Sequence, residues 1–386
     1  FPLYVTPAAF SSEILVAPTP EVQAPRVPQP APSAGTDKSA AQLQTTPPEL
    51  EKRTEPPGAV SHLALLLPLD SPSFGRAEEA VHQGFAAAAK SQGGLALVRT
   101  YGTTDAVSDI LAAYQRAIAD GAKLVVGPLT RNAVSALAAS GDVKVPTLAL
   151  NMAKGEIPVP RNLYFFSLQV EAEARQVARL AASEKLRSAV VVSGDSHIEK
   201  RILQAFAGEW TRQGGTIMLE LAFTGDTAAL ATLRHKVNAM PETILFLALE
   251  ESKARLAAPY LDPAISTYAT SQVFSGNDNV LANFDLNGIR FVDMPWMVQP
   301  DHAAVMIYPR ADPPLAAGLE RLYALGIDAF RLAQFLLRNQ TLERLSLDGV
   351  SGRISLGHGH QFLRELTSAR FRDGQARVQE ALSGGQ

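Results

Sequence analysis

The sequence predicts an α/β protein built as two doubly wound lobes, with a disordered Pro-rich N-terminal tether ahead of them. Three observations carry this. Short, continuously apolar runs of 5 to 8 residues, such as HLALLLPLD from His62, KLVVGPLT from Lys123 and VPTLALN ending at Asn151, are separated by 12 to 20 residues of helical period. That is the pattern of buried parallel strands joined by crossover helices. The same β-α-β-α series starts again near residue 171 and reads as a second lobe of the same build. Residues 1–57 hold 12 of the 26 prolines, mixed with Ala, Ser, Thr and Gln. Such a composition buries too little apolar surface to offset the entropy of ordering, and it would span roughly 40 Å as a coil or up to about 180 Å as polyproline II.

In chain order, a strand over 62–68 passes through Asp70, Ser71, Ser73 and Gly75 into a helix over 75–91. Ala77, Ala80, Val81, Phe85 and Ala88 share one face of that helix, and Gly93-Gly94 closes it. A strand over 95–99 is followed by a helix over 105–120 carrying Val107, Ile110, Leu111, Tyr114 and Ile118, closed by Gly121. A strand over 123–127, a helix opening at Thr130, a strand over 147–150 and the β-rich NLYFFSL at 162–168 complete the first series. The second comprises helix 171–183, strand 188–193, helix 196–213 stopped by Gly214-Gly215, strand 216–223, a helix from Asp226, strand 242–249, helix 250–260 and strand 266–272. After it come a strand over 288–298, helices over 314–325 and 328–339, and two short strands, GVSGRISL and ARFRDGQARV, joined by GHGH. This last third has too few strands for a core of its own, so it is expected to finish both lobes.

Composition narrows the function. The 386 residues are 46% hydrophobic with a net charge of −3, which leaves no electrostatic footprint for nucleic acid or an anionic membrane surface. No run approaches the roughly 18 apolar residues of a spanning helix. With no Cys, disulfides, thiolate metal sites and cysteine nucleophiles are excluded. The chain opens at Phe1 rather than Met, and a signal peptide would lie outside it.

Catalytic motifs are missing. GVSG at 349–352 lacks the second glycine of a G-x-S-x-G elbow, and no P-loop or G-x-G-x-x-G opens a helix. The HGH at 358–360 has i, i+2 spacing with no third ligand nearby, and His62, His82, His197, His235 and His302 lie on separate elements. No enzyme, metal or cofactor is expected. What remains are strand-to-helix turns. Gly127-Pro128-Leu129-Thr130 and Gly194-Asp195-Ser196 aim free backbone N–H groups and a hydroxyl cap at the edge of the sheet, where open α/β folds bind ligands. Such turns are equally ordinary helix caps.

LALLLPL with FGRAEEAVHQGFAAA, LVVGPLTRNAVSAL, VPTLALN, NLYFFSL with EAEARQVARLA, AVVVSGDS and YATSQVF together resemble type I periplasmic-binding-protein folds. RLYALGIDAFRLA at 321–333, GVSGRISL at 349–356 and ARFRDGQ at 369–375 make the chain most similar to the penicillin-binding-protein activator lipoproteins, the LppC/LpoA type. The resemblance covers about 62–378. It implies two lobes with a cleft between them, lobe one taking 58–168 plus about 288–345 and lobe two 169–287 plus about 346–380. It also implies a periplasmic protein, anchored in the outer membrane through a lipidated N-terminal cysteine, that stimulates a bifunctional penicillin-binding protein in peptidoglycan synthesis. That cysteine is not in this sequence. The tether stands where some relatives carry a helical-repeat domain, and it adds reach toward a synthase at the inner membrane.

Two functions follow: a non-enzymatic regulator of that synthase, or a periplasmic receptor for an amino acid or similar small molecule. A receptor needs hydroxyls and backbone amides for the α-carboxylate, an acid for the ammonium and an aromatic wall. Ser71, Ser73 and Thr130, with the turns at Gly127, Asp195 and Ser196, are candidates for the first; Glu171 or Glu250 for the second; Phe74 or Trp296 for the third. Asn151 stands at the strand end where transport receptors place small hydroxyl residues, which favours the regulator. Glu171 and Glu250 also read as first-turn carboxylates complementing a helix dipole. Phe291, Met294, Trp296, Met297 and Met306 read as packing at the hinge.

Overall fold

In the computed structural model the described residues are 60–379, apart from 94–96, 156, 184–185, 241 and 339–341; the tether expected over 1–57 lies outside them. Lobe one opens with β1 (His62–Leu67), α1 (Gly75–Ser91), β2 (Val98–Gly102), α2 (Val107–Ala119), β3 (Ala122–Val126), α3 (Arg131–Ser140), β4 (Thr147–Ala149) and β5 (Leu163–Phe166). Lobe two follows with α4 (Val170–Ala182), β6 (Ser188–Ser193), α5 (His197–Arg212), β7 (Thr216–Ala222), α6 (Thr227–Asn238), β8 (Ile244–Ala248), α7 (Glu251–Ala257), β9 (Thr267–Ala269), α8 (Val280–Asn283) and β10 (Arg290–Asp293). The last third adds α9 (Pro295–Val298), α10 (Ala303–Met306), α11 (Ala317–Leu337), β11 (Ser346–Gly349), β12 (Gly352–Leu356), β13 (Gln361–Glu365), β14 (Thr367–Arg372) and β15 (Gln375–Val378).

The strands form two sheets, ordered β11-β12-β13-β5-β4-β3-β1-β2 and β15-β14-β10-β9-β8-β6-β7. Within each, five strands run parallel in the same order, 5-4-3-1-2 in lobe one and 10-9-8-6-7 in lobe two. In both the order reverses beside the first strand, which opens a crevice at its carboxyl end. The composition of β1, β6 and β8 explains their central place. Every residue of β1 and β8 is buried, as a strand covered by helices on both faces requires.

The last third does close both lobes, but its division differs from the expected one. β10 lies in the second sheet, parallel to β9 through Phe291↔Ala269, although residues 288–345 were expected in lobe one. β11, β12 and β13 extend the first sheet, with Gln361↔Phe165 parallel to β5, although 346–380 were expected in lobe two. β14 then pairs antiparallel with β10. Strand pairing across some 200 positions has no local sequence signal, so the period of these segments could not assign them. The chain therefore crosses between lobes three times: from β5 to α4, from β10 through α9 and α10 to α11, and from β13 to β14 through Leu366.

Two expected boundaries also move. The strand over 288–298 stops at Asp293, because Pro295 opens a helical turn. The expected helices 314–325 and 328–339 are one helix, α11, which runs through Gly326. A Cβ there would lie 2.1 Å from Val81 O, and one on Gly84 would lie 1.9 Å from Tyr323 O. The two glycines let α1 and α11 cross backbone to backbone. One apolar cluster continues from Leu65, Phe85 and Phe330 in lobe one to Phe206 and Phe246 in lobe two, with Trp296 within it.

Candidate functional site at the lobe junction

The crevices place most candidates at strand ends, and there several are engaged by their own chain. Ser71, buried after β1, donates Oγ to Asp105 Oδ2 at 2.7 Å and accepts from the amides of Ser73 and Phe74 at 3.2 and 3.3 Å. Ser73 and Phe74 are exposed. Gly127 has a φ of 110°, a conformation a side chain resists, and a Cβ there would lie 2.0 Å from Leu66 O. Thr130 caps α3 by accepting from Ala133 N at 3.3 Å. Asn151 donates to Leu129 O and accepts from Met152 N, both at 2.9 Å.

In lobe two, Ser196 caps α5 in a reciprocal capping box with Glu199. Asp195 is exposed and accepts from Lys253 Nζ at 2.8 Å, which holds its carboxyl below the usual range. Glu250, exposed at the head of α7, accepts from Ser252 Oγ at 3.0 Å. Glu171 accepts from Arg201 Nε of α5 at 2.6 Å and lies 3.9 Å from Arg131 of α3, so one carboxylate touches both lobes. Although burial opposes it, the Arg201 contact lowers the Glu171 pKa.

Trp296 cannot serve as a cleft wall, because it is fully buried. Its indole N–H donates to Glu320 at 2.6 Å, and the Arg310 guanidinium stacks 3.8 Å from the ring centroid. A short helix opened by Pro295, in place of the expected strand, carries this ring.

The structure instead concentrates charge where the three crossovers meet. Glu173 on α4, Asp293 at the end of β10, Arg321 on α11 and Arg364 on β13 are all buried. Arg321 grips Asp293 in bidentate fashion at 3.1 and 2.5 Å and donates to Ser271 O and Phe274 O at 3.0 and 2.8 Å. Glu173 accepts from Ser271 Oγ at 2.6 Å and lies 3.9 Å from Arg364, which itself donates to Ser167 O and Ser351 O at 3.2 and 2.9 Å. Gln176 holds both the N–H and C=O of Leu366, at 3.0 and 2.8 Å. Burial raises the Glu173 pKa. For Arg321 burial works in the other direction, but Asp293 outweighs it and the pKa rises.

A pocket of about 390 Å³ opens over this network, lined in part by Leu168, Glu173, Ser271, Phe274, Arg321 and Leu322. None of the residues expected in a cleft lines it. The missed residues left one trace in the sequence. Arg321 and Asp328 share the α11 stripe with Ala324 and Leu325, so charges stand on a helix face that packs inward. Among the described residues no group of three or more His, Cys, Asp or Glu is placed to hold a metal ion, and no helix is long and apolar enough to cross a membrane.

Two crevice-bearing α/β lobes joined by three crossovers define a protein of the periplasmic-binding-protein-like class. The chain is similar to a Chromobacterium violaceum structure described as a putative branched-chain amino acid ABC transporter, with a TM-score of 0.71 and 36% identity, covering 81% of this chain and 100% of that one. It is similar in fold to the C-domain of Haemophilus influenzae LpoA, a regulator of PBP1A, with a TM-score of 0.69 and 23% identity, covering 83% of this chain and 100% of that one. A model of the family described as "LppC putative lipoprotein" matches residues 38–374, and the chain belongs to that family. Among relatives, the penicillin-binding protein activator LpoA of Haemophilus ducreyi is 25% identical over 327 residues, covering 82% of this chain and 54% of that protein. The chain thus spans about half the length of the curated relatives it matches.

Proposed function

We propose that this protein is a non-enzymatic periplasmic regulator that binds a bifunctional penicillin-binding protein and stimulates peptidoglycan synthesis. Membership of the LppC family, with relatives named as penicillin-binding protein activators, supports the class of function. The geometry supports the mode. A solute receptor needs uncommitted polar groups on both sides of its cleft, whereas Ser71, Thr130, Asn151, Asp195 and Ser196 are all engaged by this chain itself. A buried ion network spanning all three crossovers suits a body that presents a set arrangement of two lobes to a partner. An N-terminal lipid anchor in the outer membrane, and a tether over 1–57 that extends its reach, complete this reading.

The second reading, a receptor for an amino acid or similar small molecule, rests on the 36% identity to the Chromobacterium violaceum structure and on the pocket over Glu173 and Arg321. Thermal unfolding with a panel of amino acids and muropeptides, beside binding and glycan cross-linking assays with a purified bifunctional penicillin-binding protein, separates the two. Direct binding with faster cross-link formation and an unmoved midpoint is the expected result. A ligand at 100 times its Kd adds about 2.7 kcal/mol, several degrees in midpoint; such a shift with an amino acid, and no effect on the synthase, would overturn the regulator.

A further inference from the structure

The two lobes repeat one topology, and the repeat reveals a cation that one of them lacks. In lobe two, Asp195 follows the first strand and α5 carries the buried Glu199 in its first turn. Lys253 of α7 donates to both carboxylates, at 2.8 and 2.9 Å, and Glu199 also accepts from the amides of Ser196 and Glu250 at 3.0 and 3.1 Å. In lobe one, Asp70 follows the first strand and α1 carries the buried Glu78 in its first turn. Glu78 has no solvent exposure, yet neither carboxylate oxygen has a hydrogen-bond partner among the described residues. Asp105 and Asp70, both exposed, act on it electrostatically.

The helix after β3 corresponds to the helix after β8, since each follows the third strand of its lobe. The third residue of α7 is Lys253; the third residue of α3 is Ala133. Lobe one therefore keeps the acids of this arrangement without its lysine. A buried, unpartnered carboxyl is costly, and the helix that carries it follows the first strand, beside which the strand order reverses and such folds take ligands.

We propose that Glu78, Asp70 and Asp105 form a subsite for an organic cation, a guanidinium or alkylammonium group that takes the position Lys253 fills in lobe two. These acids are not placed to hold a metal ion. A group that spreads several N–H donors over a wider area suits them better. Phe74, exposed and one turn before Glu78, offers an apolar flank for the alkyl stem of such a group. The same acids repel a carboxylate, so the α-carboxylate of an amino acid, expected at Ser71 and Ser73, would meet charge of its own sign there.

The test is titration calorimetry of the full chain with agmatine and with putrescine, using glutarate as the anionic control. Wild type is compared with Glu78→Gln and with Glu199→Gln, the matching change in lobe two. At least one cation is expected to bind wild type and Glu199→Gln alike, to lose tenfold or more in affinity with Glu78→Gln, and glutarate is expected not to bind. Glu78→Gln removes an unpartnered charge, so its thermal midpoint is expected at or above wild type, and a weakened response cannot be put down to misfolding. No binding by either cation, or equal binding by Glu78→Gln, would overturn the proposal. Where binding is seen, loss of synthase binding by Glu78→Gln identifies the cation as a side chain of that partner, and unchanged synthase binding identifies it as a free molecule. The calorimetry does not involve the synthase, so its failure leaves the regulator reading untouched.

Discussion

Lobe one and lobe two each place a buried glutamate in the first turn of the helix after the first strand and give it opposite surroundings. Glu199 is buried, but hydrogen bonds from Lys253, Ser196 and Glu250 outweigh the burial and hold its pKa below the usual range. Glu78 is as deeply buried, and burial followed by the nearby Asp105 and Asp70 pushes its pKa up to about 7. A doubly wound sheet thus sets where a carboxylate stands and not how it is treated. Glu199 takes its donors from Lys253 and from the amides of Glu250 and its own cap Ser196, whereas Glu78 has none of these among the described residues, and Ala133 stands where Lys253 stands in lobe two.

The largest expected effect lies at the junction on which both lobes depend. Arg321→Met leaves Asp293, 1% exposed, without its guanidinium and frees the carbonyls of Ser271 and Phe274. Removing one partner of a buried pair costs about 3 to 5 kcal/mol. Urea unfolding should show that loss, together with a second transition as the lobes begin to unfold separately. A single transition with an unchanged midpoint would mean that the lobes do not rely on this network.

Next comes Lys253→Met, which converts the lobe-two site toward the state of lobe one. Lys253 is held by two acids and its own pKa is raised to about 12, while Glu199 is almost fully buried. About 2 to 3 kcal/mol should be lost, less than for Arg321 because part of the lysine side chain is exposed and screened. A loss below about 0.5 kcal/mol would show that the amides of Ser196 and Glu250 suffice, and that the missing lysine does not distinguish the lobes.

These charged sites differ in how far they could be read from the chain. β1, β6 and β8 were legible because a strand buried on both faces is continuously apolar, and Thr130 and Ser196 were legible as caps because capping is local. The route of the last third was not, since Gln361 meets Phe165, and Arg370 meets Arg290, only after the sheets assemble. Nor was the junction network, whose Glu173, Asp293, Arg321 and Arg364 are adjacent only in space. Glu78 left a clue: it shares a helical stripe with Val81 and Phe85, so a carboxylate stood on a face that had to be buried.

The smallest expected effect separates the two glutamates most sharply, because their pH dependences have opposite signs. Glu78 rises from 4.5 to about 7 on folding, so the native state binds the extra proton. Its favourable state is fully present below the unfolded pKa and is lost as pH rises through about 7. Glu78→Gln, neutral throughout, should match wild type near pH 4 and exceed it by about 2 kcal/mol near pH 8, a value reduced from the full shift because two of its neighbours are exposed and screened. Glu199 is lowered on folding, so its contribution is present above the unfolded pKa and is lost as pH falls through the folded one. Glu199→Gln should therefore be the less stable protein at neutral pH and approach wild type only in acid. Unfolding free energies of the three proteins from about pH 4 to 8 test both signs together. Parallel curves for Glu78→Gln and wild type would show that Glu78 has a partner at its carboxylate, and the contrast between the lobes would fall with it.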